Sequence, residues 1–125
     1  MYRVAVRRQF VAQHYLIGGD WGAENERHSH VYIVELELGG AALDRHNFLV
    51  DIVEIEKQLD AACGYYRDQT LNSLPEFENT NPSVELFARR LAERLSANIA
   101  AQNIRHLAVR VWENDIAWAS YELER

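Results

Sequence analysis

HSHVYIVELELGG, residues 28–40, decides the fold. The stretch is dense in β-branched and aromatic residues, which suit a pleated surface, and it closes on Gly39-Gly40, a turn signal. His28 to Leu38 therefore reads as a strand. Upstream, Tyr2, Val4, Val6 and Phe10 alternate with Arg3, Ala5, Arg7 and Gln9, the pattern of a second, half-buried strand running toward His14. Between them GGDWGAENER, residues 18–27, is rich in Gly, Asp, Asn and Glu and reads as a loop. The two strands are expected to pair as antiparallel neighbours.

Downstream the pattern changes period. Asp51 to about Tyr65 carries Ile52, Ile55, Leu59 and Ala62 at helical spacing, and Gly64 would suit the end of that helix. Residues 67–82 hold both prolines with several Asn, Ser and Thr, the composition of a long irregular connection. Asn81-Pro82 then reads as the start of a second helix, Asn as the cap and Pro in its first turn. Val84, Phe87, Ala88, Leu91 and Leu95 form one apolar stripe that runs through to Ile99. A closing hairpin follows: Arg105 to Glu113, a tight Asn114-Asp115 turn, and Ile116 to Leu123. The order β-β-α-α-β-β groups the helices instead of alternating them with strands. That predicts an α+β fold, a four-stranded antiparallel sheet with two helices packed on one face. Its two open edges would need cover or partners, and a homo-oligomer joined through them is expected.

Composition limits what such a chain does. With 125 residues, 48% of them hydrophobic and 26% charged, it fits a single domain spanning 1–125. A domain of that size buries roughly two-thirds of the surface of its unfolded chain, so a metal is expected to serve function more than folding. A formal charge of −6, with Arg7-Arg8 and Arg89-Arg90 the only short basic pairs, disfavours nucleic-acid binding. One cysteine, Cys63, allows no internal disulfide and suits a reducing compartment. No apolar run approaches membrane-spanning length and MYRVAVRRQF is no signal peptide, so a cytoplasmic location without membrane contact is expected.

His28 and His30 stand two apart on a strand, so both imidazoles point to the same side at chelating distance. His14, just past the end of the neighbouring strand, can add a third nitrogen. Three imidazoles with an open fourth position describe a catalytic zinc site. An HxH pair also arises by chance on a strand, and His46 and His106, which lack a partner at ligand spacing, read as surface or satisfied core residues.

Beyond the histidines, Phe10-Val-Ala12-Gln-His14 and His28-Ser29-His30 resemble the FxAxH and HGH elements of the 6-pyruvoyltetrahydropterin and 6-carboxytetrahydropterin synthases. The likeness continues through Leu49-Val-Asp51, Leu71-Asn-Ser-Leu-Pro75-Glu-Phe77, Asn81-Pro-Ser83-Val-Glu85 and Val109-Arg-Val111-Trp-Glu113, nearly the whole chain in order. The resemblance implies the T-fold, in which subunits join sheet edges into barrels, commonly as a hexamer built from trimers. It also implies a Zn2+ ion on His14, His28 and His30, and a pterin gripped through two parallel hydrogen bonds by Glu113, which otherwise reads as an exposed charge beside the turn.

The chain departs from that family where protons move. The synthases carry a proton-transferring cysteine four residues before the histidine pair, and Glu24 stands there instead. Cys63 falls inside the first helix and cannot replace it. A related subgroup, which cleaves dihydroneopterin triphosphate to 6-hydroxymethyldihydropterin, uses a glutamate one residue closer, where this chain has Asn25. Glu24 could act as base if burial near the metal raised its pKa, and Glu26 offers a second carboxylate. Both could equally face solvent. The family's Asp-His relay pair falls on Arg67 and Asp68, of which Asp68 could orient a proton carrier and Arg67 could pair with a substrate anion, unless the two form a surface ion pair. Ser29 replaces the usual Gly and adds a side chain on the face opposite the ligands. The readings left open are a zinc-dependent lyase acting on the side chain of a reduced pterin, a diverged homologue that binds zinc and pterin without turnover, and a zinc enzyme with a non-pterin substrate.

Overall fold

The computed structural model describes residues 1–125. Strands β1 (Tyr2–His14) and β2 (His28–Gly40) are followed by helices α1 (Ile52–Tyr66) and α2 (Val84–Asn98), then by strands β3 (His106–Trp112) and β4 (Trp118–Glu124). The sheet is antiparallel throughout, in the order β1-β2-β3-β4. Strict alternation splits each strand between two environments. On β2, Tyr32, Val34, Leu36 and Leu38 are buried beneath the helices. The intervening Glu35 and Glu37 face the other way and pair with Arg3, Arg7 and Arg110 at 2.9–3.4 Å. Removing the apolar side from water, at roughly 25 cal/mol per Å2, is what drives the helices onto that face. α1 packs over β1, and α2 over β3 and β4. No helix is long and apolar enough to cross a membrane.

Five details differ from the sequence expectation. β1 does not stop short of His14: it runs to that residue, which pairs with His28, so all three histidines sit on strands. Gly39-Gly40 is not a turn but the paired end of β2, opposite Arg3 and Tyr2. A Cβ on Gly40 would lie 2.5 Å from the Asn103 carbonyl oxygen, so the glycine serves a close approach. Gly64 lies inside α1, which ends instead at an Arg67 cap followed by Asp68 in the left-handed region, φ 61°. Ser83, not Asn81, caps α2, its side chain accepting from the Leu86 N–H, and Pro82 precedes the cap. The β3–β4 connection is longer than a tight turn, because Trp112 pairs with Trp118 and the Asn114 side chain accepts from the Ile116 and Ala117 N–H groups between them.

The connection between the helices is irregular as expected, with short 3-10 turns at Leu71–Ser73 and Pro75–Phe77. It does more than link. The Asp68 N–H donates to the Val11 carbonyl and the Gln13 N–H to the Gln69 carbonyl, so residues 68–70 lie along the outer edge of β1 at its histidine end.

Candidate metal centre

The register that pairs His14 with His28, and Ala12 with His30, puts three imidazoles on the helix-covered face at one end of the sheet. Their ring centroids lie 4.6, 5.0 and 4.8 Å apart. Two of the rings are oriented from outside. His14 Nδ1 is 2.9 Å from the Pro82 carbonyl oxygen, and His28 Nδ1 is 2.7 Å from that of Glu26. A carbonyl only accepts, so both Nδ1 atoms carry a proton, and in the neutral ring it is Nε2 that presents the lone pair.

The Nε2 atoms of His14, His28 and His30 are all buried without a hydrogen-bond partner. Three neighbouring ring nitrogens without a partner are costly to bury, and a cation is the partner that satisfies all three at once. Burial also lowers the pKa of His14, against the raising effect of its Pro82 hydrogen bond, which keeps the ring in the neutral form a metal requires. The donor set fits a divalent transition ion.

Glu24 joins the cluster. One ligand atom from each of His14, Glu24, His28 and His30 lies within 4.8 Å of every other. The Glu24 Oε2 approaches His28 Nε2 to 2.9 Å, a contact without hydrogen-bond geometry. Asn25, one residue on, folds inward: its side chain donates to the Leu16 and Gly19 carbonyls and accepts from the Trp21 N–H. The Leu16 N–H donates to the Glu24 carbonyl. The closer position along the loop is thus used to clasp it, and Glu24 is the residue aimed at the imidazoles. Glu26 contributes its main-chain carbonyl, to His28.

Glu113 follows β3 directly and brings its Oε1 to 3.5 Å from His30 Nε2. Beside it a groove of about 160 Å3 is lined by Val84, Glu85, Ala117 and Trp118. A larger concavity of about 860 Å3 lies away from the histidine cluster, between Tyr2 and the 43–52 segment. Arg67 and Asp68 are exposed at the end of α1, on the segment that lies along β1. Cys63 is buried within α1, outside the site. His46 is exposed, His106 meets Glu124 at 3.2 Å, and Ser29 faces away from the ligands to accept from Gln13.

Sequence reasoning missed four contributors: the Pro82 carbonyl, the Glu26 carbonyl, the Asn25 clasp, and Tyr32. The Tyr32 hydroxyl is buried and unpartnered, its ring 5.6 Å from that of His30 and 6.1 Å from that of His14. Only Tyr32 carried a signal, since it stands next after His30 on the same face.

The family model described as 6-pyruvoyl tetrahydropterin synthase matches residues 3–124. This chain belongs to the 6-pyruvoyl tetrahydropterin synthase family. Solved synthases share its T-fold from end to end. That of Plasmodium vivax superposes with a TM-score of 0.84 at 14% identity, covering 99% of this chain and 98% of the other. That of Caenorhabditis elegans gives 0.83 at 19% identity, again over 99% and 98%. A P. vivax synthase in which a catalytic glutamate is replaced by alanine gives 0.85 at 13% identity, over the same shares. No curated protein sequence matches the chain.

Proposed function

We propose that this member of the synthase family is a zinc-dependent, cytoplasmic lyase acting on the side chain of a reduced pterin, dihydroneopterin triphosphate or a close relative. The observation that carries the reading is the convergence of three buried, unpartnered Nε2 atoms with two carboxylates, Glu24 at 2.9 Å from His28 and Glu113 at 3.5 Å from His30. His14, His28 and His30 would hold the ion. Zinc bound there supplies a Lewis acid that polarises the oxygen substituents of the side chain.

The chain's own residues supply recognition and proton transfer. Glu113 accepts two parallel hydrogen bonds, from the amine and a ring nitrogen of the pterin, which fixes the ring and points the side chain at the histidines. Glu24 takes the proton of the second side-chain hydroxyl. The bond between the two carbinol carbons then breaks, its electron pair enters the conjugated ring system, and Glu24 returns the proton to the carbon left on the pterin. The product of that course is 6-hydroxymethyldihydropterin, with an aldehyde carrying the triphosphate as the second fragment. Elimination of the triphosphate with hydrogen shifts from side chain to ring, giving a 6-pyruvoyl product, or elimination followed by carbon–carbon cleavage that releases the outer two carbons, giving a 6-carboxy product, would draw on the same base. The P. vivax relative's catalytic glutamate supports a carboxylate in this role. Arg67 is assigned to the substrate's phosphate and Asp68 to orienting a proton carrier, within a homo-oligomer, a hexamer built from trimers.

Purified protein incubated with dihydroneopterin triphosphate, with products resolved by chromatography, tests the reading. Turnover that is lost in Glu24→Gln is the expected result. Pterin binding without turnover favours the diverged binding protein, a reading motivated by Glu24 and Arg67-Asp68 at the positions of the family's cysteine and relay pair. Neither binding nor turnover leaves a zinc enzyme for another substrate.

A further inference from the structure

The four members of the ligand cluster are not held alike. His14, His28 and His30 project from paired strands, and the rings of His14 and His28 are tied to carbonyls. Glu24 comes from a short 3-10 turn, Gly22–Asn25, in the connection between β1 and β2, and its side chain is 50% exposed, against 24% for His28 and 19% for His30. It is the one member that can leave the cluster without disturbing the sheet.

We propose that Glu24 is a displaceable fourth ligand, whose carboxylate completes the coordination of a bound divalent ion in the free protein and yields the place to an incoming ligand. Neutral imidazoles leave a doubly charged ion uncompensated, and a carboxylate is the group that both neutralises and coordinates it. The Glu24 oxygen is already there, 2.9 Å from His28 Nε2.

The loop's construction says how the exchange happens. Asn25 ties the backbone on both sides of it, to Leu16, Gly19 and Trp21, and the Glu24 carbonyl is itself bonded to the Leu16 N–H. The backbone at residue 24 therefore stays in place. What moves is the side chain, rotating about its own bonds between the cluster and the solvent it half faces. A tethered carboxylate of this kind keeps small anions off the ion, while a substrate offering two oxygens at once displaces it. The same acid then stands free, beside the reacting side chain, to act as base. The inference rests on the metal-holding part of the function proposed above and not on the pterin.

The test uses the full chain loaded with cobalt(II), whose visible absorption reports its ligands, titrated with azide. Glu24→Ala is expected to bind azide at least tenfold more tightly than the unaltered protein. Glu26→Ala removes the same charge from the same loop and is expected to stay within threefold of it. Where the alanine variant does not fold, Glu24→Gln, which keeps the side chain's length, replaces it. A Glu24 variant that gains less than tenfold, or a gain matched by Glu26→Ala, overturns the proposal while leaving the metal site standing. Failure of the unaltered chain to take up stoichiometric cobalt overturns both.

Discussion

The Nδ1–H of His14 donates to the carbonyl of Pro82 at 2.9 Å, joining the last residue of β1 to the residue before the cap of α2. The metal centre and the start of a helix are thereby one mechanical unit. Ser83, the next residue, holds the helix end through the Leu86 N–H. Ser83→Ala is expected to cost about 1 kcal/mol of folding stability, as lost caps do. Because the Pro82 carbonyl then loses its fixed position, zinc affinity should also fall, by about tenfold, the low end for a partner of a metal ligand. Denaturant titration and competition with a chromophoric chelator read the two effects separately. An unchanged zinc affinity would detach the cap from the site.

Tyr32 buries a hydroxyl that meets no partner, and burial pushes its pKa upward, helped by the negative charges of Glu113 and Glu24. A desolvated hydroxyl without a hydrogen bond costs about 1–3 kcal/mol. Tyr32→Phe should therefore raise the stability of the metal-free protein by about 1 kcal/mol. Urea unfolding of chelator-treated samples checks it, and a loss of stability would reveal a partner for that oxygen.

Glu76 predicts an acid-sensitive contribution. Burial works against its ionised form, but hydrogen bonds from the backbone and from the Tyr66 and Tyr65 hydroxyls, with Arg94 at 3.6 Å, outweigh it and hold the pKa below its ordinary value of 4.5. A depressed native pKa means that the unfolded chain takes up the proton first as pH falls. Its contribution is thus complete above pH 4.5 and is lost below it, as the pH falls toward the native value. The unfolding midpoint of the unaltered protein should drop between pH 6 and about pH 3.5 by more than that of Glu76→Gln. Parallel slopes would contradict it.

Cys63 is fully buried in α1, and burial pushes its thiol up to about 11. Nucleophilic thiolate is then both scarce and inaccessible. A thiol reagent at pH 8 should leave the native protein unlabelled and modify one equivalent in denaturant. Rapid native labelling would mean that α1 opens locally.

Much of this was legible in the sequence, and the reasons are particular. The alternation through Tyr32, Val34, Leu36 and Leu38 fixes which side of β2 faces the helices, and the same parity puts His28 and His30 on that side. What was not legible depends on distant chain. Gly39-Gly40 carries a turn signal because nothing local reveals that the Asn103 carbonyl crowds that spot. Asn81 makes a good cap on composition alone, yet its side chain is committed to the Ile17 N–H, which leaves capping to Ser83. Asn25 looked like a misplaced catalytic position because its partners, Leu16 and Gly19, are met only once the loop has closed. The bare Nε2 atoms and the carbonyls behind His14 and His28 belong to the same class: ligand identity is a local signal, ligand orientation is not.

The segment lying along β1 has a geometric corollary. Val11 and Gln13 turn their main-chain groups outward to residues 68 and 69, so in a regular strand Arg3, Ala5, Arg7 and Gln9 turn theirs the same way. Residues 68–70 occupy the histidine end of that border, while along the amino-terminal stretch no backbone pairs with it and the Arg7 carbonyl is taken by the Arg8 side chain at 2.9 Å. A visiting strand can therefore zip onto roughly 27 Å of backbone, at about 3.4 Å per residue, only at the far end from the imidazoles. Lateral growth of the sheet and access to the ion are in this way assigned to opposite ends of one strand.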